Sequence, residues 1–244
     1  MPFWYNETTI RKGEKEMYLP LLTVGEWLNE TFHGFDYAVF EAFSHIHSAF
    51  MTLIANIFTF FGDELFVIPM MLVAIVLCLF KKTRKYGAPL FVAIFLGTLI
   101  TNLIAKPLID RARPYVTLQD DVFYKWWQAV GAHEESDKSF PSGHTTGAFE
   151  IAVSMCITFA RNNKKYIAWL FPFIALGTAC SRVYLCVHYP TDVIGGMIIG
   201  IFSGIMACII ANAILKWFDK SESPLIKKVN GIDLGKLFKK NKAE

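Results

Sequence analysis

Long apolar runs separated by short clusters of charge dominate this chain. About 20 apolar residues in a helix span the roughly 30 Å hydrocarbon layer of a membrane, so each run predicts a spanning helix. The predicted spans are residues 39–61, 65–80, 86–105, 145–160, 166–185 and 193–215. An earlier stretch, residues 19–35, mixes apolar residues with Trp27 and acidic side chains. It predicts either a helix lying along the membrane surface or a linker.

The pattern predicts an all-α polytopic membrane protein. Its expected core is a six-helix bundle, with an interfacial N-terminal segment and a long outer loop between the third and fourth spans. The expected divisions are an N-terminal cytoplasmic or interfacial segment (1–36), a transmembrane domain (37–217) and a lysine-rich cytoplasmic tail (218–244).

Loop charge predicts the orientation of this bundle. The loops after the second and fourth spans, and the tail, carry clustered Lys and Arg. Such clusters stay in the cytoplasm, so six spans would put both termini there and the loops after spans one, three and five outside. The expected location is the plasma membrane.

Composition agrees with a membrane protein and excludes several other classes. The chain has 244 residues, of which 54% are hydrophobic, and its mean hydropathy is +0.37, which is more apolar than a soluble domain of this length. A net charge of +3 is too small to indicate a nucleic-acid partner. The five cysteines lie in or beside apolar runs without a CxxC pair, so neither a disulfide framework nor a zinc site is indicated.

Three polar clusters contain the candidate chemistry, and the predicted topology places all of them on the outer face. KPLIDRARP (106–114) ends the third span, PSGH (141–144) opens the fourth, and SRVYLCVHYPTD (181–192) separates the fifth from the sixth. Charge near hydrocarbon is costly. A shared location therefore favours one functional site over three unrelated ion pairs.

Several side chains in these clusters suit a phosphate group. Lys106, Arg113 and Arg182 would form a triply cationic site. Ser142 and Gly143 lie at a predicted helix N-terminus, where free N–H groups and the helix dipole attract anions.

Two histidines and an aspartate supply reactive groups beside this predicted anion site. One of His144 and His188 can attack phosphorus while the other protonates the leaving oxygen. Asp192, four residues after His188, can orient that imidazole and stabilise its cation.

The three motifs together resemble those of the type-2 phosphatidic acid phosphatase superfamily, which also includes vanadium haloperoxidases and glucose-6-phosphatase. They read Lys-x6-Arg-Pro, Pro-Ser-Gly-His and Ser-Arg-x5-His-x3-Asp. The resemblance implies a phosphohistidine on His188, orientation of His188 by Asp192, and His144 as general acid. It further implies phosphate binding by five residues and no requirement for a metal or other cofactor. The five are Lys106, Arg113, Ser142, Gly143 and Arg182.

The expected activity is hydrolysis of a lipid phosphate or diphosphate, with membrane lipids as the surroundings and no nucleic acid. An isoprenoid diphosphate is preferred, while phosphatidylglycerophosphate and phosphatidate stay open, as does the oligomeric state. A vanadate-dependent haloperoxidase and a non-catalytic lipid-phosphate binder or transporter are the alternatives. Six spans argue against the first, and intact motifs argue against the second.

Other polar residues are predicted to lie outside the site. Asp110 and Arg111 predict a salt bridge or loop anchor, and Glu150 either touches the pocket wall or pairs with a neighbouring helix. His45 and His47 are expected to pack on the opposite side of the membrane. The HEESD segment (133–137) is expected to be a solvated loop rather than a cation site.

Overall fold

The computed structural model describes residues 23–119 and 121–234, and these residues form helices and no strands. Predictions for residues 1–22, and for the part of the tail from 235 to 244, lie outside the described residues. The helices are α1 (Val24–Ser44), α2 (Ala49–Phe60), α3 (Glu64–Leu79), α4 (Arg84–Thr98), α5 (Lys106–Ile109), α6 (Pro114–Thr117), α7 (Asp121–Ala129), α8 (Gly143–Arg161), α9 (Lys165–Ala168), α10 (Leu170–Tyr184), α11 (Pro190–Lys220) and α12 (Pro224–Asn230).

Side-chain caps determine where several of these helices begin. Thr23 and Glu26 form a reciprocal capping box at α1. Ser48, Asp63 and Ser142 each accept a hydrogen bond from a backbone N–H in the first turn of α2, α3 and α8. These caps satisfy N–H groups that have no partner inside the helix.

A wider π-helical stretch, Leu99–Ala105, joins α4 to α5 and therefore precedes Lys106. Thr101 in this stretch is buried and donates a hydrogen bond to the Thr146 hydroxyl of α8 at 3.2 Å. Such stretches are rare in helices and recur near functional sites. Here the stretch fixes the register of the first polar motif against the helix that follows PSGH.

Four helical stretches in the described residues are long and apolar enough to cross a membrane. They are Ala49–Leu79, Arg84–Thr117, Lys165–Tyr184 and Pro190–Lys220. α8 lies among them, packed against α4, α10 and α11. The protein is thus an all-helical, multi-pass membrane protein in the part of the chain that the structure describes.

The two ends of the bundle differ in chemistry. At one end, Arg84 donates hydrogen bonds to the carbonyl of Cys78 and to the side chain of Asn230, beside the lysine-rich loop of residues 80–85. Lys85 contacts Asn162 at the same end. The three polar motifs lie at the other end, which we call the site end.

The prediction of one spanning helix over residues 39–61 is wrong. The chain forms α1 and α2 instead, because it turns at 45–48, where Ser48 adopts an extended conformation and caps α2. The Tyr184 hydroxyl fixes this turn by accepting a hydrogen bond from Ser48 N at 3.2 Å.

α1 and α2 both contact the site end of the bundle. An added Cβ at Gly25 would lie 2.7 Å from Cα of Arg111, and Thr59 accepts a hydrogen bond from Arg182. The expected packing role of His47 is confirmed, because its ring packs on that of Tyr184 at 4.9 Å, but the expected side is wrong, because Tyr184 lies two residues after Arg182. Two helices, of 21 and 12 residues, therefore replace the predicted first span.

Glycines allow α11 to pack closely against α8, as their spacing predicts. A Cβ added at Gly200 would lie 2.6 Å from Cβ of Phe149, and one at Gly204 would lie 2.7 Å from Cβ of Val153. At the site end, a Cβ at Gly196 would lie 2.6 Å from the Ser142 carbonyl oxygen. This approach places the second and third motifs side by side.

Candidate active site

The structure brings Lys106, Arg113 and Arg182 into one cluster, which we call the cationic cluster. Arg113 and Arg182 both pair with Glu135, and Lys106 and Arg113 both pair with Asp137. Cations from the first and third motifs thus share two carboxylates as common partners. This is the convergence that the sequence predicts.

His188 lies directly against this cluster. Arg113 Nη1 is 2.9 Å from His188 Nε2 and also donates to the Val187 carbonyl at 2.9 Å. Because a guanidinium can only donate, Nε2 acts as the acceptor and the proton of a neutral imidazole resides on Nδ1. Nε2, the atom with the free electron pair, therefore faces the cations that would hold a phosphate.

Burial lowers the pKa of His188 well below its usual value, and the charges of Arg113, Arg182, His144 and Lys106 lower it further. Both causes disfavour the imidazolium. His188 is therefore neutral near pH 7, which is the form that a nucleophile requires.

Asp192 lies on the other side of the imidazole. Its Oδ2 is 3.6 Å from Nδ1 of His188, which is longer than a hydrogen bond. That oxygen accepts instead from the Ser139 hydroxyl at 2.5 Å and from Tyr189 N at 2.9 Å. The predicted pair is thus adjacent, with Nδ1 unpartnered among the described residues.

The second histidine, His144, occupies the first turn of α8 and pairs with an aspartate that the sequence did not single out. His144 Nε2 is 3.3 Å from Oδ2 of Asp63, the residue that caps α3. Close packing fixes this arrangement, because a Cβ added at Gly62 would lie 2.3 Å from the His144 carbonyl oxygen. The turn between α2 and α3 thereby positions His144.

Ser142 and Gly143 form the N-terminus of α8, as predicted. The Ser142 hydroxyl accepts from Thr145 N at 3.4 Å and from the Thr145 hydroxyl at 3.0 Å, so it caps the helix. A Cβ added at Gly143 would lie 3.4 Å from Lys106 Nζ. The absence of that Cβ leaves room for an anion between the lysine and the helix N-terminus.

The HEESD segment is a largely exposed loop, as expected, but two of its acidic side chains, Glu135 and Asp137, reach the cationic cluster. Glu135 Oε2 lies 2.7 Å from Arg113 Nη2 and 3.8 Å from His188 Nε2. Burial alone would raise the pKa of Asp137, but hydrogen bonds and charges from Lys106 and Arg113 outweigh it and leave the pKa lowered. Two carboxylates thus lie where a phosphate would bind.

Two further predictions concern charged residues beside the motifs. Arg111 forms buried salt bridges with Asp36 and Asp192, so its predicted anchoring role is confirmed. Glu150 is buried in α8, and its Oε2 has no hydrogen-bond partner among the described residues. It faces α4, where a Cβ at Gly97 would overlap that oxygen, and it lies outside the cationic cluster.

Comparison with known proteins identifies the family. The model of the PAP2 superfamily matches residues 86–217. This chain belongs to the PAP2 superfamily. The match covers all three motifs, so the resemblance inferred from their spacing is confirmed.

Several named proteins are similar to this chain. "Undecaprenyl-diphosphatase BcrC" of Bacillus subtilis is 28% identical over 170 residues, which cover 68% of this chain and 81% of that protein. "Phosphatidylglycerophosphatase B" of the same organism is 27% identical over 172 residues, covering 68% and 78%. A solved PAP2-type phosphatidylglycerolphosphate phosphatase from B. subtilis shares the fold, with a TM-score of 0.63, 22% identity and coverage of 78% of this chain and 92% of that one.

Sequence reasoning missed several residues around the PAP2 site. They are Asp36, Thr59, Asp63, Glu135, Ser139 and Asp137. Only the last three had a local signal, since they lie within ten residues before PSGH. The other three are Asp36 in α1, Thr59 in α2 and Asp63 in the turn between α2 and α3, and of these the predicted topology had placed Asp36 away from the site.

Proposed function

We propose that this protein hydrolyses a lipid phosphate or diphosphate through a phosphohistidine on His188. The supporting observation is the convergence of Lys106, Arg113 and Arg182 on the Nε2 face of that neutral histidine. Three cations suit an anion that carries about two negative charges, as a phosphate monoester does. The relatives named as lipid phosphatases act on the same class of substrate.

In the first step, Nε2 of His188 attacks phosphorus and the bond from phosphorus to the leaving oxygen breaks. His144 donates a proton to that oxygen, and Asp63 holds its ring in place. Asp192 stabilises the positive charge that develops on the His188 ring. The cationic cluster, together with the backbone N–H of Gly143 at the α8 N-terminus, stabilises charge on the phosphoryl oxygens.

In the second step, water attacks phosphorus and the P–N bond breaks. His144, now without its proton, accepts one from this water. Inorganic phosphate is released. His188 is regenerated because the electron pair of the broken P–N bond returns to Nε2. The groups in this scheme all come from the chain, the substrate and water.

The site end lies outside the plasma membrane in this proposal. The opposite end carries Lys81, Lys82, Arg84 and Lys85 between α3 and α4, and Lys164 and Lys165 after α8. Positive clusters of this kind stay in the cytoplasm. An amphiphilic substrate would then reach the site from the outer leaflet.

The helix directions support five crossings rather than six in residues 23–119 and 121–234, made by α3, α4, α8, α10 and α11, because the turn between α2 and α3 already lies at the site end. α1 lies at the site end, so the proposal places Thr23 outside and α12 in the cytoplasm. This differs from the expectation that both termini are cytoplasmic.

A phosphate-release assay on purified lipids tests the proposed function. Undecaprenyl diphosphate is the first substrate to test because of the named relative, followed by phosphatidylglycerophosphate and phosphatidate. The wild-type protein should release phosphate from at least one of them, and His188→Ala should release none while remaining folded. Peroxidase activity with added vanadate, together with no phosphate release, would instead establish the haloperoxidase alternative.

A further inference from the structure

Arg111 is fully buried, and its three side-chain nitrogens all donate hydrogen bonds outside the cationic cluster. Nε donates to Asn29 at 2.8 Å, and Nη2 donates to Asp36 at 2.9 Å. Nη1 donates to Thr191 at 2.7 Å and to Oδ1 of Asp192 at 2.6 Å. A single arginine thus joins α1 to the first turn of α11.

Three hydrogen-bond donors other than His188 hold the Asp192 carboxylate. Arg111 binds Oδ1, while Ser139 and the backbone N–H of Tyr189 bind Oδ2. A carboxylate offers about four acceptor positions. The position that remains is on Oδ1, since Oδ2 already accepts two hydrogen bonds. Oδ2 lies 3.6 Å from the unpartnered Nδ1 of His188 as a nearby negative charge.

Arg111 does not fully neutralise the negative charge of Asp192. Arg111 pairs with two carboxylates, those of Asp36 and Asp192, so the trio carries one net negative charge. If Asp36 were neutral, Arg111 would fully compensate Asp192. The carboxylate would then stabilise less well the positive imidazole that forms when Nε2 bonds to phosphorus.

Asp36 also fixes the segment that carries the nucleophile. Its two oxygens accept from Thr191 N at 2.9 Å and from the Thr191 hydroxyl at 2.8 Å. The Arg111 guanidinium lies 3.7 Å from the centre of the Tyr189 ring. Arg111 and Asp36 therefore contact Tyr189 and Thr191, which lie between His188 and Asp192 in the sequence, without touching the cationic cluster.

We propose that Asp36 and Arg111 are positioning residues for the hydrolysis: Asp36 on α1 holds Arg111, and Arg111 directs the Asp192 carboxylate toward Nδ1 of His188. The inference rests on the proposed function. It assigns α1 a part in the chemical step, so changes in this pair should lower kcat and leave phosphate binding intact.

The test compares Asp36→Asn, Arg111→Lys and the double variant in the full-length protein, on the lipid with the highest wild-type turnover. Each single variant should lower kcat about 10- to 100-fold, as the loss of a residue that orients a reactive group does. KM and the inhibition constant of inorganic phosphate should stay within about twofold. The double variant should be no slower than the slower single variant, because both act through one network. Glu41→Gln, an exposed change on the same helix, is the control and should match the wild type.

Several outcomes overturn the inference. One is a kcat within twofold of the wild type in Asp36→Asn. A second is weaker inhibition by phosphate that accompanies the loss of kcat. A third is a double variant in which the two losses of kcat multiply. Both of these results indicate general damage to the fold. If Arg111→Lys does not fold, the near-isosteric Asp36→Asn decides the question alone. A wild-type protein that releases no phosphate from any lipid overturns the proposed function first, and this inference with it.

Discussion

Glu135 pairs with Arg182 across 47 residues of sequence and so places a carboxylate inside the cationic cluster. Asp137 does the same for Lys106 and Arg113. A phosphate that enters the site must therefore displace acidic side chains as well as water. The resting protein satisfies its buried cations with its own carboxylates, which avoids the large cost of unpaired charge.

Removing one of these carboxylates should strengthen phosphate binding. Asp137→Asn should lower the inhibition constant of inorganic phosphate about two- to fivefold, since a partly exposed ion pair is worth about 0.2–1 kcal/mol. The pKa of Asp137 is lowered, so its charge is present at neutral pH and is lost only as pH falls through that lowered value. The effect should therefore be constant between about pH 6 and 8.

Asp110→Asn is the matched control for this measurement. Asp110 also pairs with a lysine, Lys138, but both side chains are about half exposed and lie outside the cationic cluster. Asn tolerates the left-handed backbone of this position, where φ is 52°. An unchanged or higher inhibition constant in Asp137→Asn would show that the carboxylate does not compete with phosphate.

A lysine should not replace Arg182. The two terminal nitrogens of this guanidinium bond to different partners, Nη1 to Thr59 at 2.5 Å and Nη2 to Glu135. A lysine has one nitrogen and cannot hold a phosphate with the same fork. Arg182→Lys should lower kcat/KM about 100-fold. Arg161→Lys, an exposed change at the opposite end of α8, should have no effect, and equal kcat/KM in the two variants would contradict the role of Arg182.

His188 should stay neutral well below pH 6.5. Its pKa is lowered by burial and by the surrounding cations, so the unfolded chain takes up a proton first as pH falls. This histidine therefore destabilises the fold progressively below about pH 6.5, while the nucleophile itself remains available. Carbon-13 NMR of labelled histidines in detergent would measure the titration, with the His188 signal assigned by its loss in His188→Gln. A midpoint at or above 6.5, the value expected in a denatured sample, would contradict the neutral nucleophile.

The sequence was sufficient for the residues that we propose to contact phosphate and insufficient for those that support them. Lys106, His144 and His188 fall in motifs with fixed spacing, and the ends of apolar runs place those motifs at one face. Asp36 and Asp63 have no such signal, because a lone acidic residue beside an apolar run looks the same whether it is solvated or holds an arginine. Their roles depend on where α1 and α2 pack, which hydropathy does not encode.

The prediction that glycines allow close helix packing is confirmed at Gly196 of α11, and this contact can be tested. Gly196 lies against PSGH, where an added Cβ would be 2.6 Å from the Ser142 carbonyl oxygen and 3.0 Å from Cβ of Thr145. Neither neighbour can move away easily, because both belong to the buried start of α8. Gly196→Ala should therefore destabilise the protein by about 1–3 kcal/mol, as overpacking does, and should lower kcat by displacing His144.

Gly34→Ala provides the matched comparison, because no atom lies within 4 Å of the Cβ that this change adds to α1. Alanine favours a helix over glycine by roughly 0.5–1 kcal/mol, so this variant should be as stable as the wild type or slightly more so. Thermal unfolding of both variants in the same detergent, read with their phosphate release, separates helix propensity from close packing. Equal unfolding temperatures for the two variants would show that α11 is not closely packed against PSGH. Close packing at Gly196 would then not explain why the second and third motifs lie side by side.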